Sequence, residues 1–157
     1  MKSRTAYPRT PPRLSRIYES NPLYFVTMCT YRRREILAND NMHEAMTLFF
    51  KSGFANGIAV GRYVIMPDHV HLFVRGAIGF QLGRWVQALK SAISKMLIKS
   101  GEKPPFWQRG FFDHIMRNSE SYEEKWDYVW VNPVRKGYVS KPDDWPYSGE
   151  IVKIDRV

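Results

Sequence analysis

Residues 58–74, IAVGRYVIMPDHVHLFV, limit the possible folds more than any other stretch of this chain. Two apolar, β-branched runs flank Pro67-Asp68, a turn dipeptide, so Ile58–Met66 and His69–Val74 read as consecutive strands of an antiparallel hairpin. Side chains alternate across a strand. Val70 and Leu72 therefore face a core, while His69 and His71 share the other side, pointing outward or into a cleft.

The flanking sequence extends this hairpin in both directions. Leu23–Tyr31 (LYFVTMCTY) reads as a strand. Residues 41–53 place Met42, Ala45, Met46, Phe49 and Phe50 at helical spacing, with Gly53 as a stop. The longest helix is expected over residues 81–99, with Leu82, Val86, Leu89 and Ile93 as its apolar stripe and Lys90 and Lys95 off it. Phe106–Met116 reads as a fourth strand bent at Gly110. A last helix, SYEEKWDYVWVN, should stop before Pro133. The order β-α-β-β-α-β plus a helix predicts an α+β, ferredoxin-like (split βαβ) fold. It has a four-stranded antiparallel sheet with two helices on one face and a C-terminal helix. One domain is expected over residues 1–157, with a flexible basic arm at 1–20 and an irregular tail at 135–157.

Composition narrows the function classes. The chain has 157 residues, 44% of them hydrophobic, enough to bury a core. Lys and Arg number 24 against 15 Asp and Glu, a formal charge of +9, which points to a polyanionic partner. Cys29 is the single cysteine, so an internal disulfide and a cysteine-based zinc site are both excluded. No apolar stretch approaches the roughly 20 residues of a membrane helix, and MKSRTAYPRTPPRLSR lacks the apolar core of a secretory signal. A cytoplasmic, nucleoid-associated protein is expected.

Two imidazoles one strand repeat apart can chelate a divalent metal, although they can equally be hydrogen-bonded histidines on a sheet. A third ligand is available in the last helix. Tyr128 and Asn132 are four residues apart, so one helical face can deliver a phenol and an amide oxygen together. Each also has an ordinary reading, as a packed aromatic and a helix-end cap. Tyr122 is the rival phenol. A phenol is a weak nucleophile at neutral pH because its ordinary pKa is about 10. Lys125, three residues before Tyr128, is expected to position a phosphate or favour the phenolate.

Four blocks in order, MPDHVHLFV, WQRGFFDHIMRN, WDYVWVNPVRKGYV and DDWPYS, resemble the single-tyrosine HUH transposases of the IS200-like kind, and among them the REP-associated tyrosine transposases. HUH denotes His–hydrophobic–His, here His69-Val70-His71. The likeness extends from about Tyr24 to Ser148. It implies a metal-dependent endonuclease and strand transferase acting on single-stranded or hairpin DNA through a 5′-phosphotyrosine. It further implies that His69 and His71 bind Mg²⁺ or Mn²⁺, that Tyr128 is the nucleophile and that Asn132 completes the metal site. Other members of the wider class carry Gln at that last position, so Asn132 is a departure that keeps an oxygen ligand.

Phosphate contacts are expected from the arm (Arg4, Arg9, Arg13, Arg16), from Arg32, Arg33 and Arg34, and from Lys90 and Lys95. His114 and Arg117 are placed near the site, and Trp107 is a candidate for stacking on a base. Both a monomer and a homodimer fit the sequence. The competing class is a non-catalytic ferredoxin-like nucleic-acid-binding module. Its sheet would carry aromatics where this chain has histidines. A histidine-triad hydrolase would need a third histidine where Phe73 stands. A domesticated, inactive transposase stays open.

Overall fold

The computed structural model describes residues 22–117 and 119–154. The arginines of the expected arm, Arg4, Arg9, Arg13 and Arg16, lie outside them. The elements run β1 (Leu23–Cys29), α1 (Asp40–Gly53), β2 (Ile58–Met66), β3 (His69–Gly76), α2 (Leu82–Lys99), β4 (Phe112–Met116), α3 (Ser119–Trp130), α4 (Asn132–Arg135) and β5 (Ser148–Glu150). The sheet order is β4-β1-β3-β2-β5, antiparallel throughout. This is the expected α+β arrangement with one strand more. The tail predicted to be irregular supplies it: Ser148–Glu150 pairs with Arg62–Val64 and so covers the free edge of β2.

The sheet is buried on both faces. Tyr24, Val26 and Met28 of β1, and Val70, Leu72 and Val74 of β3, pack under α1 (Met42, Met46, Phe50) and α2 (Leu82, Val86, Leu89, Ile93). The opposite face presents Leu23, Phe25, Val64 and Phe73 to Tyr122 and Val129 of α3 and to Ile154 of the tail. Burial on both sides explains why β3 reads as a nearly continuous apolar run. Phe73 anchors α3 to the sheet, with its ring 4.6 Å from that of Tyr122 and 5.0 Å from that of Phe25. Its complete burial contributes about 2–3 kcal/mol.

Two boundaries differ from expectation. β4 starts at Phe112, because residues 106–110 turn back across the end of β1. Tyr31 N–H donates to Phe106 O at 2.8 Å, Gln108 N–H donates to Cys29 O at 3.0 Å, and Gly110 takes a φ of +75°. α3 stops at Trp130, two residues early. Pro133 has no N–H to donate to the Val129 carbonyl, so the α3 ladder ends, and the chain restarts as α4 with Pro133 in its first turn.

Asp113 faces the α1/α2 core, opposite Val26 of β1. It is buried, and neither carboxylate oxygen has a hydrogen-bond partner among the described residues. Burial pushes its pKa up to about 6. The unfolded chain loses this proton near 3.8 and the folded chain near 6, so stability falls as pH rises through that window. Asp113→Asn is therefore expected to raise stability at pH 7 by on the order of 2 kcal/mol. It should also flatten the decline between pH 4 and 6. Urea unfolding at both pH values measures this, and an Asn variant no more stable than wild type at pH 7 would contradict it.

Candidate active site

The hairpin turn and the β1 register build the imidazole pair. Thr27 stands opposite His71, and Cys29 opposite His69. His69 and His71 lie on the α3 face with ring centroids 4.7 Å apart, nearly perpendicular. Neither points to open solvent: their relative exposures are 6% and 1%.

Each ring is held through Nδ1. His69 Nδ1 is 2.8 Å from Asp68 Oδ1, and the other oxygen of that carboxylate accepts from Arg33 Nε at 2.9 Å. Burial alone would raise the Asp68 pKa, but the hydrogen bond and charge of His69 and the ion pair with Arg33 outweigh it, holding the carboxyl at about 2. An ionised carboxylate only accepts, so His69 Nδ1 carries a hydrogen toward it. Arg33 Nη2 also lies 3.3 Å from that Nδ1, but guanidinium has only donors, so this approach is electrostatic. The stability that Asp68 contributes is present above the unfolded carboxylate range, near pH 4, and is lost as pH falls toward 2.

His71 Nδ1 is 2.8 Å from Thr27 Oγ1, and its ring stacks on Phe25 at 5.4 Å. Its Nε2 is buried with no hydrogen-bond partner among the described residues. Burial first, then the charges of His69, Lys125 and Arg135, push the His71 pKa well below its ordinary 6.5, so the imidazole is neutral at pH 7. Both rings thus tie down Nδ1 and present Nε2, the arrangement that orients histidine as a metal ligand. An unpartnered buried ring nitrogen is a cost that a bound cation would remove. No cluster of three or more His, Cys, Asp or Glu able to hold a metal occurs among the described residues.

Asn132 lies beside the imidazole pair. It is 6% exposed, and its Nδ2 lies 3.4 Å from His69 Nε2. Asn132 lies beyond the break after Trp130, at the start of α4, while Tyr128 is on α3 and 41% exposed. The two residues are connected through Arg135. Its guanidinium lies 4.1 Å from the centroid of the Tyr128 ring, and its Nη2 donates to Asn132 Oδ1 at 3.4 Å. Tyr122, the rival phenol, is buried against Phe73. The Lys125 ammonium lies 5.3 Å from the centroid of the Phe25 ring, on which His71 also stacks.

The expected phosphate contacts separate into two groups. Lys90 is not exposed as predicted. It is buried, donates to the carbonyls of Gln108 and Gly110 at 3.1 and 2.6 Å, and has its pKa lowered by burial to about 8. It fastens the loop before β4, as does Trp107, whose indole N–H donates to Lys90 O and Ser94 Oγ. Arg34 is similarly committed, donating to the carbonyls of Lys103 and Pro105 and pairing with Glu102 at 3.0 Å. Arg32, Lys95, His114 and Arg117 are exposed. His114 stands opposite Phe25, on the face that carries the histidines. Lys95 belongs to α2, on the other face.

Sequence reasoning missed Thr27 and Arg135, and read Asp68 only as a turn residue. Thr27 becomes visible only with the β1–β3 register. Arg135 left a signal, seven residues beyond Tyr128, that a helix expected to stop before Pro133 concealed.

A sequence profile of the family described as IS200-like transposase matches residues 19–130. A REP-associated tyrosine transposase of Escherichia coli (strain K12) is 26% identical over 136 residues, covering 85% of this chain and 79% of the relative. The solved structure of a REP-associated tyrosine transposase bound to a REP hairpin superposes with a TM-score of 0.68 at 22% identity, over 94% of this chain and 82% of that one. A solved chain from Deinococcus radiodurans R1 superposes at 0.53 with 19% identity, over 82% of this chain and 95% of that one. Both structural likenesses concern the fold.

Proposed function

This chain belongs to the IS200-like transposase family, and from that membership we propose that it is a single-stranded DNA endonuclease and strand transferase with Tyr128 as nucleophile. The observation that carries the proposal is the chain of contacts from the Tyr128 ring through Arg135 and Asn132 to His69 Nε2, beside the unpartnered Nε2 of His71.

His69, His71 and Asn132 would hold a divalent ion, Mg²⁺ or Mn²⁺, which when bound neutralises developing charge at the scissile phosphate. Asn132 would present its oxygen after a half-turn of the amide. Tyr128 Oη attacks phosphorus, the bond from phosphorus to the 3′-oxygen breaks, the phenolic proton leaves to solvent, and the departing oxygen takes up a proton. The products are a 5′-phosphotyrosine and a 3′-hydroxyl. The phosphotyrosine conserves the bond energy, so a 3′-hydroxyl of another strand reverses the step without a nucleotide cofactor. Asp68 and Thr27 keep both rings aimed throughout. Asp68→Asn removes the charge that faces His69 and the ion pair with Arg33. It is expected to weaken Mn²⁺ binding by about 10–100-fold, measured by titration of the purified protein.

Hairpin DNA is the proposed substrate. The +9 charge and the exposed Arg32, His114 and Arg117 support it, as does the relative solved with a REP hairpin. Action at the nucleoid follows from that substrate, and no helix among the described residues is long and apolar enough to cross a membrane. The test is incubation with a hairpin oligonucleotide carrying a single-stranded flank, with Mn²⁺, followed by denaturing electrophoresis and peptide mass mapping. A covalent adduct on Tyr128 that a chelator prevents is the expected result. Lack of any adduct, or its location on another residue, would overturn the proposal.

A further inference from the structure

We infer, building on the nuclease reading, that Arg135 is a positioning residue: it fixes the Tyr128 phenol relative to the imidazole site. Tyr128 lies on α3 and Asn132 on α4, on either side of the break at Val131, so helical geometry alone does not align them. Arg135 spans that break. Its guanidinium lies against the Tyr128 ring at 4.1 Å, while its Nη2 donates to Asn132 Oδ1 at 3.4 Å. A planar guanidinium can stack and donate at once, which an ammonium cannot.

The polarity of the chain is determined by chemistry. Arg135 has only donors, so the Asn132 atom facing it has to be the oxygen. The amide nitrogen then faces His69 Nε2, at 3.4 Å. One cation therefore holds the Asn132 oxygen before a metal binds and rests on the Tyr128 ring. An exposed phenol otherwise exchanges among rotamers, and a cation on its ring face favours one of them.

The test compares full-length wild type, Arg135→Ala and Arg135→Lys. Tyrosine-selective ¹³C labelling, with Tyr128 assigned from Tyr128→Phe, reads ring mobility without DNA or metal. Arg135→Ala is expected to mobilise the Tyr128 ring, and Arg135→Lys to restore part of the order. In single-turnover assays at saturating hairpin DNA, Arg135→Ala should slow adduct formation by about 10²-fold. Hairpin affinity, measured in a Tyr128→Phe background, should be unchanged by the same substitution. An unaltered Tyr128 ring signal in Arg135→Ala would overturn the inference. So would a rate loss fully explained by weaker DNA binding, which would make Arg135 a phosphate contact. If wild type forms no adduct, the nuclease reading fails, and the ring measurement still decides whether Arg135 positions Tyr128.

Discussion

Tyr128→Phe is expected to retain hairpin binding and to lose the covalent adduct altogether. The substitution keeps the aromatic ring, so the contact with the Arg135 guanidinium survives. It removes the one atom that can bond to phosphorus, and strand cleavage should fall by on the order of 10⁴-fold or more. The informative control is Tyr122→Phe. Tyr122 is 2% exposed and packs edge-on against Phe73, in the core between α3 and the sheet. Its ring serves packing, so that variant should form adduct at close to the wild-type rate. Both variants are read on one denaturing gel with a labelled oligonucleotide. The reverse pattern, with adduct lost in Tyr122→Phe and kept in Tyr128→Phe, would exchange the two roles.

His71→Asn is expected to abolish activity without unfolding the protein. An asparagine amide can occupy the place of Nδ1 and keep the hydrogen bond to Thr27, but nothing replaces Nε2. If the bound ion contributes several kcal/mol at the transition state, loss of this ligand should slow adduct formation by about 10³-fold. A second readout needs no DNA. In wild type, burial holds the His71 pKa well below 6.5. The unfolded chain takes up that proton as pH falls below 6.5 and the folded chain does not, so wild-type stability declines on the acid side. His71→Asn should lack this share of the decline. Urea midpoints at pH 7 and pH 5 compare the two proteins, and an identical acid-side loss would argue against a buried neutral imidazole.

Much of the architecture was legible in the chain itself. The hairpin at residues 58–74 and the apolar stripes of α1 and α2 depend on local periodicity, and the structure follows them closely. The fifth strand was not legible, because Ser148–Glu150 has no strand-like pattern and pairs only once β2 offers its edge. Lys90 misled for a related reason. A lysine beside an apolar stripe ordinarily faces water, yet here two loop carbonyls accept from it in the interior.

The candidate site divides along the same line. Alternation within one strand determined that His69 and His71 share a face, since that depends only on neighbouring residues. Tertiary structure decided what three of the four imidazole nitrogens meet: Thr27 on β1, Asp68 held by Arg33, and Asn132 brought in after the helix break. Those partners come from segments 36 to 63 residues away, apart from the adjacent Asp68 itself. A hydrogen bond forms only when register and packing bring its two atoms within about 3 Å, and no periodicity in a single segment encodes such a meeting.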